Sequence, residues 1–226
     1  MNESPITPRE SDRILLVDAP EQAWDDSAWR RTCRQARALG FNGIMAPCGP
    51  ERHPRAAGTA QGMADPDVHE TMDHTLARLA AVCAEEALHF YLDVAPSDIA
   101  LPSDRPKCLA QWLAVGVKGF CCRHVERSAP ADWRNLIGEV RGRAGGGRFL
   151  AWTPGMSAEQ VKALRGAGFD ATFLSLPWWD FRSGWLVEEH ARLSSVAPVI
   201  VPVTADGPAC LQADAGDPDT AWRRCI

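Results

Sequence analysis

The sequence predicts an α/β fold: a (β/α)8 barrel of the TIM type, incomplete, with about seven βα units. Three observations predict it. Short apolar runs alternate along the chain with stretches of helical spacing. Repeated strand–helix units imply a parallel sheet, because parallel neighbours must be joined by a crossover. Seven such units are too many for a small flavodoxin-like sheet and favour a barrel. The eighth unit is not visible: from Asp206 onward the chain is rich in Asp, Gly, Ala and Pro, and only 221–224 hints at a helix. Barrels of this type use about 250 residues, and this chain has 226. The expected organisation is an N-terminal tail over 1–12, a barrel over 13–206, and a C-terminal tail over 207–226.

The first expected strand, 13–17, is ended by Asp18, Ala19 and Pro20. A helix follows over 24–39, with Asp25, Asp26 and Ser27 placed to favour its positive N-terminal end and Gly40 as its stop. The second strand is 41–46, and the Pro- and Gly-rich stretch 47–66 is loop by composition. Over 68–86, Met72, Leu76, Leu79, Ala80 and Cys83 share one helical face. Strand three is 88–94, followed by a short helix over 107–115, strand four over 117–121 and a helix over 132–141. Gly145, Gly146 and Gly147 form a turn; they precede a strand and so cannot cradle a phosphate at a helix start. Strand five is 149–151, and Ser157 to Gln160 is a capping box opening the next helix. Strand six, 169–174, a helix over 182–195 and strand seven, 199–201, complete the series.

Apolar residues make up 46% and charged residues 23% of the chain, which is the balance of a globular protein. A net charge of -5 gives no electrostatic case for nucleic acid or anionic membranes. No apolar run is long enough to span a bilayer, and residues 1–5 carry neither a basic region nor an apolar signal core, so a cytoplasmic location is the default expectation. The eight cysteines (Cys33, Cys48, Cys83, Cys108, Cys121, Cys122, Cys210 and Cys225) contain no Cys-x-x-Cys pair and are read as small buried apolar residues. Adjacent Cys121 and Cys122 cannot both point inward from a strand. The histidines lack ligand-like spacing, so no metal and no cofactor is expected. Glu85–Glu86 and Glu188–Glu189 read as solvated helix faces.

Several strand ends carry a resemblance. Leu39-Gly40-Phe41-Asn42-Gly43-Ile44, Tyr91-Leu92-Asp93-Val94, Gly119-Phe120 and Phe149-Leu150-Ala151 follow one another in an order that resembles the glycoside hydrolase family 13 (α-amylase) superfamily over 13–206. The stretch 169–182, ending Pro177-Trp178-Trp179-Asp180-Phe181-Arg182, is similar to the maltosyl-transferring starch synthase branch, and closest to the extra, degenerate barrel that some of its members carry. The resemblance implies a retaining mechanism with two carboxyl groups about 5 to 5.5 Å apart, one attacking the anomeric carbon and one protonating the leaving oxygen.

At the position that this resemblance assigns to the nucleophile stands Arg123, and at that of the acid/base stands Trp152. A guanidinium stays protonated and has no lone pair to offer, and an indole N–H is no general acid near neutral pH. Independently of alignment, neither 116–124 nor 148–156 contains an Asp or Glu. The resemblance further implies that Ser97-Asp98 replaces an Asn-His pair, that Asp206 is a poor match to a third carboxylate, and that Asp93 organises the site. Candidate sugar contacts are therefore Asp93, Asp98, Trp152, Trp178, Trp179, Asp180 and Asp206, with the tryptophans either stacking on pyranose faces or filling the barrel mouth. Asp93 and Asp180 are also candidates for structural ion pairs, Asp93 with Arg123.

The expected function is a non-hydrolytic barrel linked to α-glucan and maltosyl-transfer metabolism, binding a maltooligosaccharide or scaffolding a catalytic maltosyltransferase. One alternative is an active glycosidase or maltosyltransferase using displaced carboxylates such as Asp93, Asp98 and Asp206. Another is an interaction domain or fragment, whose open barrel would expose two sheet edges and self-associate.

Overall fold

A computed structural model describes residues 13–17, 25–48, 66–95, 104–179 and 184–204. Eight parallel strand segments form one sheet: β1 (Ile14–Leu16), β2 (Gly43–Pro47), β3 (His89–Val94), β4 (Gly119–Cys122), β5 (Arg148–Ala151), β6 (Ala171–Phe173), β7 (Val199–Ile200) and β8 (Val203–Thr204). Between them run α1 (Asp26–Ala38), α2 (Pro66–Glu85), α3 (Arg105–Ala114), α4 (Pro130–Ala144), α5 (Ala158–Ala163) and α6 (Trp185–Ser194). The sheet order is β7-β6-β5-β4-β3-β2-β1-β8, each strand beside its sequence neighbour until the end. This is the expected incomplete TIM-type barrel of seven βα units.

The two ends of that order, β7 and β8, belong to one stretch of chain. β7 pairs with β6 (Thr172 with Val199), while β8 pairs with β1 (Leu15 with Val203). Only Val201 and Pro202 separate β7 from β8, so a single extended segment joins the last unit to the first. The barrel is incomplete, as expected, and this one segment stands in the place of two strands. It lends its lower half to one neighbour and its upper half to the other.

Side-chain alternation sorts the strands into two faces. Ile14, Leu16, Met45, Tyr91, Cys121, Leu150, Ala171, Phe173 and Ile200 fill the barrel interior. Leu15, Ile44, Phe90, Leu92, Phe120, Cys122 and Phe149 point outward and pack beneath the helices with Trp29, Trp112 and Trp133. Cys121 and Cys122 thus face opposite ways, as the strand period demands. All six cysteines among the described residues are buried. Burial, with a smaller contribution from the Asp93 charge, pushes the Cys122 thiol pKa well up.

Local chemistry sets the helix starts. The Asp25 side chain caps α1, accepting from the Ser27 hydroxyl and from the Ala28 and Ser27 amides, and these bonds hold its pKa below the ordinary value. Ser157 and Gln160 form the expected capping box on α5. On α6 the paired glutamates divide: Glu188 is exposed, but Glu189 is buried, contrary to the expected solvated face. The helix turns that position toward the β6 end, where it finds hydrogen-bond donors. The C-terminal stretch 207–226, the loop over 49–65, and Asp98, Asp180 and Asp206 lie outside the described residues. Among those described, no helix is long and apolar enough to cross a membrane.

Candidate functional site

The sheet register builds the site. Tyr91, Cys121 and Leu150 belong to the interior cluster, and Asp93 pairs with Cys121, which pairs with Leu150. Two residues further along β3, β4 and β5, the same inward face carries Asp93, Arg123 and Trp152 at the carboxyl-terminal end of the barrel. The ladder extends to hold them: the Arg123 amide donates to the Val94 carbonyl at 2.8 Å, and the Trp152 amide to the Cys122 carbonyl at 3.0 Å.

These three side chains form a stack. Arg123 Nε donates to both Asp93 carboxylate oxygens, at 2.8 and 2.9 Å, and Nη2 donates to Oδ2 at 2.6 Å. The guanidinium carbon lies 3.8 Å from the centroid of the Trp152 ring. Trp152 in turn packs on Phe173 of β6, with ring centroids 5.1 Å apart. The Asp93 side chain is 7% exposed and that of Arg123 22%, so the ion pair is largely removed from water. A forked guanidinium–carboxylate pair beneath an aromatic face is the geometry in which arginine binds most strongly.

Beside the stack lies a cavity of about 560 Å³. One wall is the loop after β4, with Arg123, His124, Glu126 and Arg127; the other is the loop after β5, with Trp152, Pro154, Gly155 and Met156, and Gln160 of α5 beyond it. His124 has a left-handed backbone, φ 53°, a conformation uncommon for a residue with a side chain. Its Nδ1 is 3.7 Å from Glu126 Oε1, and Arg127 Nε is 3.9 Å from the same oxygen. Glu126 is the one carboxylate among the lining residues. The lining therefore combines an aromatic ring and apolar atoms with planar groups able to bridge neighbouring hydroxyls. Among the described residues, no three His, Cys, Asp or Glu side chains group as a metal site.

Of the sequence candidates, Asp93 and Trp152 come together at the barrel mouth. Trp178, in a short 3-10 turn over Leu176–Trp178, is 62% exposed and is not part of the cavity wall. Trp179 is half-buried against the cluster of Val161, Leu174, Leu186 and Leu193, so it fills a gap behind the rim. His124, Glu126 and Arg127 went unnoticed in the sequence, and Gln160 was read only as part of a capping box. The signal available was position alone: they follow β4 and β5, and barrel sites lie on the loops at strand carboxyl ends.

Comparison with known proteins gives one sequence relative. Over 142 residues, 62% of this chain, it is 32% identical to an alpha-1,4-glucan:maltose-1-phosphate maltosyltransferase of Burkholderia pseudomallei. The match spans 12% of that much longer protein. No family model matches the chain. Among solved structures, an alpha-amylase from Lactobacillus plantarum superposes with a TM-score of 0.54 at 12% identity, covering 84% of this chain and 61% of the amylase. An aldolase, QR15, does so equally well, with a TM-score of 0.54 at 9% identity over 85% of this chain and 80% of its own. These structural likenesses concern the fold, which many chemistries share. The chain is thus similar in sequence, over part of its length, to a stretch of a maltosyltransferase, and it is built on the barrel fold that α-amylases share with other enzymes.

Proposed function

We propose that this chain is a non-hydrolytic carbohydrate-binding barrel that holds an α-glucan or maltooligosaccharide at the mouth of its β4 and β5 ends. The observation that carries this reading is the Asp93–Arg123–Trp152 stack. Glycosidic cleavage needs an attacking carboxylate and a proton-donating carboxyl on opposite sides of the bond. At the two strand ends where the resemblance assigns those groups, this chain has a cation and an indole. The inward carboxylate of β3 is spent on the guanidinium, and the fixed positive charge opposes the charge that develops on a sugar ring in the transition state. The homology to a maltosyltransferase and the mixed aromatic and polar lining support a sugar as ligand.

A titration with maltoheptaose followed by ¹H–¹⁵N NMR tests the binding half. Saturable shifts centred on 123–127 and 152–156, with a dissociation constant in the millimolar range or tighter, are expected. Trp152→Ala should weaken binding about tenfold, the loss of a stacking face and of the group that orients Arg123. No saturable shift at tens of millimolar sugar would remove the reading.

One observation favours a second reading. Glu126 lines the cavity, so an active enzyme could place a displaced carboxylate there. That reading expects turnover of a maltooligosaccharide that Glu126→Gln abolishes.

A further inference from the structure

We infer that Glu189, on α6 and absent from the cavity lining, is the positioning residue for the β5 wall of the sugar cavity, acting through Ser175 on Gly155. The inference rests on the sugar-binding reading above for its functional meaning, and on a continuous hydrogen-bond chain for its mechanism. Glu189 is 8% exposed. Its Oε2 accepts from the Ser175 amide at 2.9 Å and its Oε1 from the Ser175 hydroxyl at 2.7 Å. With its proton committed to Glu189, the Ser175 oxygen presents its lone pairs to the β5 loop and accepts from the Gly155 amide at 3.3 Å. Gly155 forms part of the cavity wall and has φ +82°, a left-handed turn residue whose position depends on what its amide finds.

A second tie fixes the base of the same turn. The Thr153 hydroxyl donates to the Phe173 carbonyl at 2.5 Å and accepts from the Phe173 amide at 3.0 Å, so it occupies the ladder position beyond β5. The Met156 amide closes the turn on the Thr153 carbonyl at 3.0 Å. Residues 153–156 are therefore held at one point by β6 and at another by Ser175, and the orientation of Ser175 is dictated from α6. A hydroxyl free to rotate would spend part of its time with its proton aimed at the Gly155 N–H, which cannot accept it, and the bond would be lost in those orientations. Donation to Glu189 removes those orientations, because the hydroxyl proton is held on Oε1 while the Ser175 amide holds Oε2. The shape of the cavity wall that carries Pro154, Gly155 and Met156 then follows from a side chain that no sugar would touch.

The test compares wild type, Glu189→Gln and Ser175→Ala by amide hydrogen exchange and by maltoheptaose titration. Both variants are expected to speed exchange of the Gly155 amide at least tenfold while leaving amides of β2 and β3 unchanged, and to weaken sugar binding about fivefold. A general loss of stability would speed exchange throughout the barrel, so the selectivity for 153–156 separates positioning from a merely structural role. If Glu189→Gln fails to fold, Ser175→Ala, which removes one hydroxyl, decides the same point. Unchanged Gly155 exchange in the folded variants would overturn the inference, as would unchanged binding where the wild type binds. If the wild type binds no sugar, the sugar-binding reading falls by itself, and Gly155 exchange still decides whether Glu189 positions this wall.

Discussion

Gly119→Ala is expected to cost about 4 kcal/mol or more, at the extreme of single-residue effects, and to leave little native protein at 37 °C. A Cβ built at Gly119 would run into the Arg148 carbonyl oxygen and lie 2.8 Å from the Arg148 Cβ. The first of these is backbone of the paired strand and cannot swing aside. Relief requires β4 and β5 to part or slip, and the register of that pair is what sets Arg123 beside Trp152. Gly119 pairs with Arg148, Cys121 with Leu150, and the two key side chains follow two residues on. Urea unfolding followed by far-UV circular dichroism measures the effect. A midpoint within experimental error of wild type would mean that the strands approach less closely than described.

The second large effect is expected at Arg123. Arg123→Met keeps an unbranched chain of similar reach but removes the fork that holds Asp93, a side chain only 7% exposed. Leaving a buried carboxylate without its principal cation costs about 3 kcal/mol, which for a domain of this size lowers the melting temperature by about 6–12 °C. Arg123→Lys should recover only part of this, because an ammonium is a point charge that neither forks to a carboxylate nor lies flat on an indole. The double variant Asp93→Asn/Arg123→Met should be more stable than Arg123→Met alone, since the uncompensated charge is gone. Thermal melts of the wild type, both single variants and the double variant complete the cycle. Equal melting temperatures for wild type and Arg123→Met would show that the pair carries no structural weight, and would remove the reason for regarding Asp93 as occupied.

Much of the fold was legible because its signals are local. Alternating apolar runs, the Asp25 cap and the Ser157–Gln160 box are properties of short windows, and the strands and helices fall within a few residues of their expected places. The facing of Cys121 and Cys122 followed from the strand period alone. The pairing of β8 with β1 was not legible, because Val203 and Leu15 lie far apart along the chain. The presence of Arg123 and Trp152 at the strand ends could be read from residue order, but their stacking on each other required the register. Glu189 was misread for a related reason. A charged residue beside another on a helix reads as solvent-facing until the partner loop is in place, and here the partner is a serine amide and hydroxyl. The cavity residues His124, Glu126 and Arg127 come from a turn whose left-handed entry at His124 no composition rule marks.

A barrel with a salt-bridged stack in the place proposed for a cleavage dyad carries one prediction that stands above the rest. Purified protein incubated with fluorescently labelled maltoheptaose, with products resolved by capillary electrophoresis over a day, should release and transfer no sugar above the uncatalysed background, because loss of both catalytic carboxyls removes several orders of magnitude in rate. Appearance of shortened or extended oligosaccharides, abolished by Asp93→Asn or Glu126→Gln, would contradict the account and establish this barrel as an enzyme.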